Sequence, residues 1–266
     1  MQITFYKYQG TGNDFIMIDN RSLSFPKTDI KLIAHLCHRR FGIGADGLIL
    51  IEKDEETDFK MVYYNSDGKE STMCGNGGRC AVAFAYQLGM ITEDSLFIAI
   101  DGNHRAAVEK TEEGMFEVKL KMKDVANIYT ADTHCFLDTG SPHYVEVVEE
   151  VSALDVVGKG ATIRNREDYA PHGTNVNFAQ QINASAFKIR TYERGVEDET
   201  WSCGTGATAV ALAMYATGKT QERTLQIEVE GGALEVSFEI DEHNAFRNIY
   251  LKGPASFVFK GVYISK

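Results

Sequence analysis

The feature that most constrains this chain is a pattern that it carries twice. Cys74-Gly75-Asn76-Gly77-Gly78-Arg79-Cys80 runs into AVAFAYQL, and Cys203-Gly204-Thr205-Gly206-Ala207-Thr208 runs into AVALAMYA. Each copy is a turn opening onto a nearly uncharged run of small and apolar residues, which predicts a helix that is apolar around its whole circumference. Such a helix has no face for water, so other elements must sheathe it. Strand-like stretches dominate the rest of the chain: ITFYKY, FIMID, FKMVYY, LFIAI and MFEVKL, then HCFLD, HYVEVV, NVNFAQ, AFKIRTY, LQIEV, ALEVSFEI and ASFVFKGVYI. One further, amphipathic helix is predicted over residues 28–40, with Ile30, Ile33, Ala34 and Cys37 on one face and Thr28 as its cap. An internal duplication is the economical reading, giving an α/β chain of two similar units, each with one apolar helix inside a strand-rich half. The polar stretch 121–133 marks the boundary, and with four prolines in the whole chain no linker holds the halves apart.

At 266 residues the chain is long enough to bury one large core or two ordinary ones, which excludes disorder and small stapled scaffolds. The 27 Lys and Arg against 38 Asp and Glu give a net charge of −11, a field that repels phosphate backbones and anionic lipid surfaces. Neither nucleic acid nor membrane is expected as a partner, and no apolar run approaches the ~20 residues of a bilayer span. The opening MQITFYKYQ reads directly as a strand, without the basic and apolar regions of a secretion signal, so a cytoplasmic location is expected. Five cysteines without a C-x-x-C pair argue against a disulfide framework and a zinc ribbon.

A cysteine just before a helix sits beside unpaired N–H groups at the positive end of the helix dipole, where a thiol pKa falls from about 8.5 to as low as 3.5–7.5. The glycines that follow let a ligand approach those N–H groups, and a carboxylate fits there with its α-carbon beside the sulfur. Two such places suggest stereochemical inversion. The thiolate of one takes the α-proton, the helix ends stabilise the carbanion, and the thiol of the other returns a proton to the opposite face. Cys74 and Cys203 are the candidates. Cys37 and Cys135 lie in apolar-periodic segments and Cys80 lies inside its helix, so these three are read as structural. No cofactor is demanded: the sequence has no convincing dinucleotide fingerprint, no metal-ligand cluster and no motif that nominates a pyridoxal lysine. Gly218-Lys219-Thr220 imitates a phosphate-binding loop but lacks its leading glycine and closes a helix instead of opening one.

These residues resemble the diaminopimelate epimerases, cofactor-independent members of the amino-acid racemases, over nearly the whole chain. The landmarks are GTGNDF (10–15), FGIGADG (41–47), NSDGKESTMCGNGGRC (65–80), GSPHYV (140–145), GTNVNF (173–178) and YERGVEDETWSCGTGA (192–207). The resemblance implies two pseudo-symmetric domains, each a barrel-like sheet around a central helix, with a substrate cleft between them. The domains would be residues 1–126 with a returning strand 255–266, and residues 127–254. The implied reaction epimerises one centre of LL-diaminopimelate to the meso form, a step of lysine biosynthesis, with Cys74 and Cys203 as the acid/base pair. Gly75, Asn76, Gly204 and Thr205 would hold the carboxylate through their N–H groups, and Asn13, Asn65, Asn175 and Arg194 would contact the substrate. Arg194 would fork onto the distal carboxylate. Glu193 would meet an amine and tune one thiol, and His143 would tune the other. The expected partner is a diamino dicarboxylic acid, and a homodimer is expected from the resemblance and from the frequency of twofold assemblies.

Three departures from the family pattern bear on fine specificity more than on reaction type. Ser141 stands where asparagine is usual before Pro-His, Gly47 stands where some members carry a substrate-facing glutamine, and the segment from Glu193-Arg194-Gly195 to Cys203 is one residue longer than the commonest form. Two other readings stay open on the residues alone: a proline, hydroxyproline or other amino-acid racemase on the same scaffold, and a redox sensor or binding protein in which the two cysteines form a reversible disulfide.

Overall fold

The computed structural model describes residues 2–112 and 114–264. Residues 265 and 266, the end of the expected returning strand, lie outside the described residues. The chain divides into two compact units, one formed by residues up to Leu120 together with those from Gly253 onward, the other by Lys121–Lys252.

In the first unit the elements run β1 (Gln2–Gly10), β2 (Asn13–Asp19), α1 (Ile30–Cys37), β3 (Gly47–Glu52), β4 (Phe59–Asn65), β5 (Glu70–Ser71), α2 (Gly75–Gln87), β6 (Asp94–Ala99), β7 (Gly102–Lys110) and β8 (Phe116–Lys121). The second runs β9 (Tyr129–Thr130), β10 (Cys135–Asp138), β11 (Pro142–Val147), α3 (Val156–Arg164), a 3₁₀ turn, β12 (Asn175–Asn183), β13 (Ala186–Glu193), β14 (Asp198–Thr200), α4 (Gly204–Ala216), β15 (Thr224–Val229), β16 (Gly232–Ile240) and β17 (Phe246–Ile264), whose last residues belong to the first unit and pair with β1. One connectivity is used twice. β1 and β2 are antiparallel, β2 and β3 parallel with α1 as the crossover, β3 and β4 antiparallel, β4 and β6 parallel with α2 as the crossover, and β6, β7 and β8 antiparallel. From β10 the second unit repeats each step, with α3 and α4 as the crossovers. Parallel neighbours require such crossovers, which is why both helices of each unit sit where they do.

The two apolar helices are sheathed as their composition demands. Every residue from Gly75 to Ala85 of α2 is buried against the strands of its unit, and Gly204 to Met214 of α4 are buried with the single exception of Thr205. Their starts are the turns expected from the repeated pattern, with Cys74 and Cys203 as the N-cap residues.

Some elements differ from the sequence reading, each for a physical reason. α1 is shorter than residues 28–40, and its cap is Asp29, whose carboxylate accepts from the Leu32 N–H at 3.0 Å, not Thr28. β3 was not among the expected strands: all six of its residues are buried, so it lacks the alternation that marks a half-exposed strand. Leu48 and Leu50 join the core under α1, while Ile49 faces Gly77 of α2. α3 was also not expected. Its Gly158 and Gly160 interrupt any apolar stripe, yet Gly160 is required, because a Cβ there would lie 2.4 Å from Cβ of Tyr192. Among the described residues no helix is long and apolar enough to cross a membrane.

Candidate active site

The six landmarks sort three and three. In the first unit the turn between β1 and β2, the loop before β3 and the start of α2 are drawn together by hydrogen bonds. Thr11 (φ 47°) and Gly12 (φ 94°) make the turn that begins β2 at Asn13. The Asn13 amide donates to Asp46 at 3.1 Å and accepts from the side chain of Asn76, which is buried in the first turn of α2. Asp46 and Asp14 share the guanidinium of Arg39, at 2.6 and 2.7 Å, and Lys7 adds a second cation 2.7 Å from Asp14. Burial alone would raise the Asp14 carboxyl, but the hydrogen bonds from Arg39 and Lys7 outweigh it and hold the group at about 2. Arg79, fully buried, donates to Thr11 Oγ1 at 3.0 Å and to the Pro254 carbonyl at 3.3 Å, which fixes the turn against the helix.

Cys74 caps α2 in an extended conformation (φ −89°, ψ 132°) and is half-buried, and no side-chain hydrogen bond caps the helix start. The N–H groups of Gly75 and Asn76 are the first of the helix, the ones without an intrahelical acceptor. Asn65, at the end of β4, is exposed in a turn closed by the Gly68 N–H, and no hydrogen bond joins its side chain to this cluster among the described residues. Gly47 leaves the room that Tyr63 fills, since a Cβ on Gly47 would meet the Tyr63 ring at 2.5 Å.

In the second unit the corresponding landmarks form a denser network. β11 and β12 run parallel with His143 opposite Asn175 and Val145 opposite Asn177, and β13 sets Thr191 opposite Asn177. His143 is fully buried. Its Nε2 lies 2.9 Å from Thr205 Oγ1, and its Nδ1 lies 3.1 Å from Asn177 Nδ2. The tautomer follows from the neighbours. Asn177 Nδ2 donates to the Tyr144 carbonyl at 2.9 Å, which can only accept, while Asn177 Oδ1 accepts from Thr191 at 3.0 Å. The amide nitrogen therefore faces His143 Nδ1, which accepts, so in the neutral ring Nε2 carries the hydrogen and gives it to Thr205 at 2.9 Å in preference to the Asn175 amide nitrogen, a donor at 3.4 Å. Burial pushes the imidazole down to about 3, with Asp138 opposing weakly and Arg194 adding to the shift, so the ring is neutral.

The Thr205 hydroxyl, accepting from His143, keeps its own hydrogen and lies 3.5 Å from Cys203 Sγ, where it can donate to a thiolate or accept from a thiol. Thr205 is in turn held from its carbonyl by Thr139 Oγ1 at 2.9 Å. Cys203 caps α4 (φ −121°, ψ 108°) and is 7% exposed. Glu193, at the end of β13, accepts from Thr200 Oγ1 at 3.0 Å and shares a hydrogen bond with the thiol. Burial raises the Glu193 carboxyl, with the bonds from Thr200 and Cys203 pulling the other way, so this carboxylate is a stronger base than an exposed one. The arrangement can take the thiol proton onto Glu193 and stabilise the thiolate from Thr205 and the helix N–H groups. Arg194 follows Glu193 in the hairpin loop; its N–H donates to Asn175 Oδ1 at 2.8 Å and its guanidinium to the His172 carbonyl at 3.3 Å.

Asn177, Thr139 and Thr191 were missed by the sequence reading, although Asn175 and Asn177 stand two apart on one face of a strand whose other residues up to Ala179 are apolar, which was a signal of a buried polar site. Cys37 and Cys80 are buried thiols pushed up to about 12 by that burial, and burial raises Cys135 as well. Among the described residues no three His, Cys, Asp or Glu side chains cluster as metal ligands would.

Comparison with known proteins adds a family. The sequence profile described as Diaminopimelate epimerase matches residues 5–127 and 135–258. A protein of Flavobacterium psychrophilum named diaminopimelate epimerase is 58% identical over 255 residues, covering 96% of this chain and 98% of its own. One of the same name from Chlorobaculum tepidum is 43% identical, covering 95% and 98%. Among solved structures, a phenazine biosynthesis protein of the PhzF family from Bacillus anthracis superposes with a TM-score of 0.79 at 12% identity over 100% of both chains. A hydroxyproline epimerase from Agrobacterium vitis, with trans-4-hydroxy-L-proline bound, gives 0.71 at 14% identity over 98% of this chain and 92% of its own. At those identities the two structures share the fold.

Proposed function

Because this chain belongs to the diaminopimelate epimerase family, we propose that it epimerises one α-carbon of LL-diaminopimelate to give the meso form, with Cys74 and Cys203 exchanging the proton on opposite faces of that carbon. The observation that carries the reading is the matched pair of helix starts. Each unit ends a strand-to-helix turn on a cysteine at the N-cap, followed by glycines and by N–H groups that no side chain caps. The N–H groups of Gly75, Asn76, Gly204 and Thr205 hold the carboxylate of the reacting centre, where two helix ends offset the charge that develops as the α-proton leaves. The sulfur on one face takes that proton as a thiolate. The sulfur on the other gives one as a thiol, so no net proton is consumed and the roles exchange for the reverse reaction. Asn13, Asn65 and Asn175 contact the substrate, Glu193 meets its amine and serves Cys203 as base, and Arg194 binds the distal carboxylate. His143, neutral and donating to Thr205, orders the donor that faces Cys203 without adding charge. Both sulfurs must stay reduced, which suits a cytoplasmic location.

The test is turnover of LL-diaminopimelate in deuterated water, read by NMR beside L-proline and trans-4-hydroxy-L-proline. The expected result is meso product carrying one α-deuteron, with neither imino acid consumed. Product without deuterium, or turnover confined to an imino acid, would overturn the proposal.

A further inference from the structure

The segment between Arg194 and Cys203 carries an interaction that the proposed reaction does not use. β13 and β14 form a hairpin with Glu193 opposite Asp198, so Arg194 rides in its loop. At the end of that loop Glu197 adopts a left-handed conformation (φ 59°), which a side chain other than glycine rarely takes without compensation. The compensation is its carboxylate. Oε1 accepts from Arg164 Nη2 at 2.8 Å, from Arg164 Nε at 3.1 Å and from the Gly195 N–H at 3.0 Å, while Oε2 accepts from Tyr192 Oη at 3.1 Å. The Glu197 N–H closes the loop onto the Glu193 carbonyl at 2.8 Å.

Arg164, the last residue of α3, holds a second segment as well. Its guanidinium lies against Gly173, where a Cβ would be 2.5 Å from Nη1. Gly173 lies with Thr174 between His172 and Asn175, the two residues that Arg194 is bonded to. The Glu197–Arg164 pair therefore joins the loop that carries Arg194 to the segment that seats it. A hairpin loop is ordinarily one of the more mobile parts of a fold, and this one is fastened at its end.

We infer that Glu197 is a positioning residue that sets where Arg194 presents its guanidinium, and so sets how tightly the site takes the distal carboxylate of a two-headed amino acid. The inference rests on the reading of Arg194 given above. Burial is not the source of the effect, since Glu197 is exposed; its hydrogen bonds from Arg164 hold the carboxyl below the usual range, so the pair is charged at neutral pH.

The experiment is steady-state kinetics on LL-diaminopimelate for the wild type, Glu197→Gln, Arg194→Lys and the double variant, with folding checked by circular dichroism. Glu197→Gln keeps the shape but cannot accept the fork, and is expected to raise KM about tenfold with kcat within about twofold. The effects of Glu197→Gln and Arg194→Lys should combine to much less than their product, because both act on one guanidinium. Arg164→Gln breaks the pair from the helix side and should reproduce the rise in KM; it decides the matter if Glu197→Gln does not fold. A fall in kcat at unchanged KM, or fully multiplicative effects, would overturn the inference while leaving the reaction standing. A wild type that does not turn over LL-diaminopimelate would overturn the functional reading and this inference with it.

Discussion

Beside the start of α2 the strands place Phe15, Gly47 and Ile49, with Phe15 opposite Gly47 and Ile49 opposite Tyr63. Beside the start of α4 the same registers place His143, Asn175 and Asn177, with His143 opposite Asn175 and Asn177 opposite Thr191. The backbone frame is common, and at these positions the side chains are apolar in the first unit and polar in the second. The glycines two residues beyond each first helical residue show it directly: Gly77 faces Ile49, Met61 and Phe15, whereas Gly206 faces the Asn177 amide and Cys203. Duplication gives two thiols at two dipole ends, but a proton exchange needs one thiol and one thiolate. On the reading proposed above, Cys203 is the better-supplied of the two, with Glu193 and Thr205 within hydrogen-bonding reach and the buried Thr139, His143, Asn177 and Thr191 ordering that contact.

The sharpest way to break this comparison is to remove each sulfur in turn. If both act on one carbon, Cys74→Ala and Cys203→Ala each lose at least about 10³-fold in kcat, because general acid and base steps contribute roughly 10²–10⁴-fold and neither half of the exchange substitutes for the other. Initial rates with LL-diaminopimelate, alongside circular dichroism to verify folding, check it. A variant of either cysteine that keeps more than a tenth of the wild-type rate would leave its helix start a structural echo of the other.

Most of the architecture was legible because its driving feature is compositional. The two all-apolar helices announce themselves, and their repetition implies a repeated sheath. What was not legible has two causes. β3 reads as an unbroken apolar run because α1 and α2 cover its two sides, and α3 loses its stripe to Gly158 and Gly160, the second of which Tyr192 requires. The candidate residues Cys74, Cys203, His143, Glu193 and Arg194 could be named from motifs; Asn177 lies inside the GTNVNF landmark and Thr191 in none, and the part of both, which is to orient His143, is not written in a motif. Only the register between β11, β12 and β13 brings them together.

A finer test exchanges one atom at equivalent places. Gly206→Ala puts a Cβ 2.4 Å from Asn177 Oδ1 and 3.3 Å from Cys203 Sγ, so the amide that fixes the His143 tautomer must move. Gly77→Ala puts its Cβ 3.1 Å from Ile49 Cδ1, the end of a flexible side chain that can rotate aside. The expected outcome is a loss of about 10- to 100-fold in kcat for Gly206→Ala, in keeping with misplacement of a group that supports the chemistry. Gly77→Ala should keep kcat within about threefold and gain up to about 1 kcal/mol from helix propensity. Equal losses in the two variants would mean that the polar lining of the second unit does not matter to turnover.

The smallest expected effect concerns the pH dependence that His143 brings to the second unit. His143 is held neutral with its pKa pushed down to about 3 by burial, whereas in the unfolded chain it titrates near 6.5. Below 6.5 the unfolded state therefore binds a proton that the folded state refuses, so this group makes stability fall as the pH drops from about 6.5 towards 3 and contributes nothing above that window. At pH 5.5 the cost is at most about 1.4 kcal/mol. Glu193 acts with the opposite sign: its raised carboxyl keeps a proton that the unfolded chain gives up, so its contribution is present below about 4.5 and fades as the pH rises through the folded value. Because the two trends oppose, the wild-type curve alone does not separate them, and the informative quantity is the difference between wild type and His143→Gln. Urea unfolding at pH 7.5 and 5.5 should show the variant gaining on the wild type by about 1 kcal/mol at the lower pH. A constant difference across that range would mean that His143 accepts a proton in the folded protein, and the neutral donor to Thr205 would have to give way to an imidazolium beside Cys203.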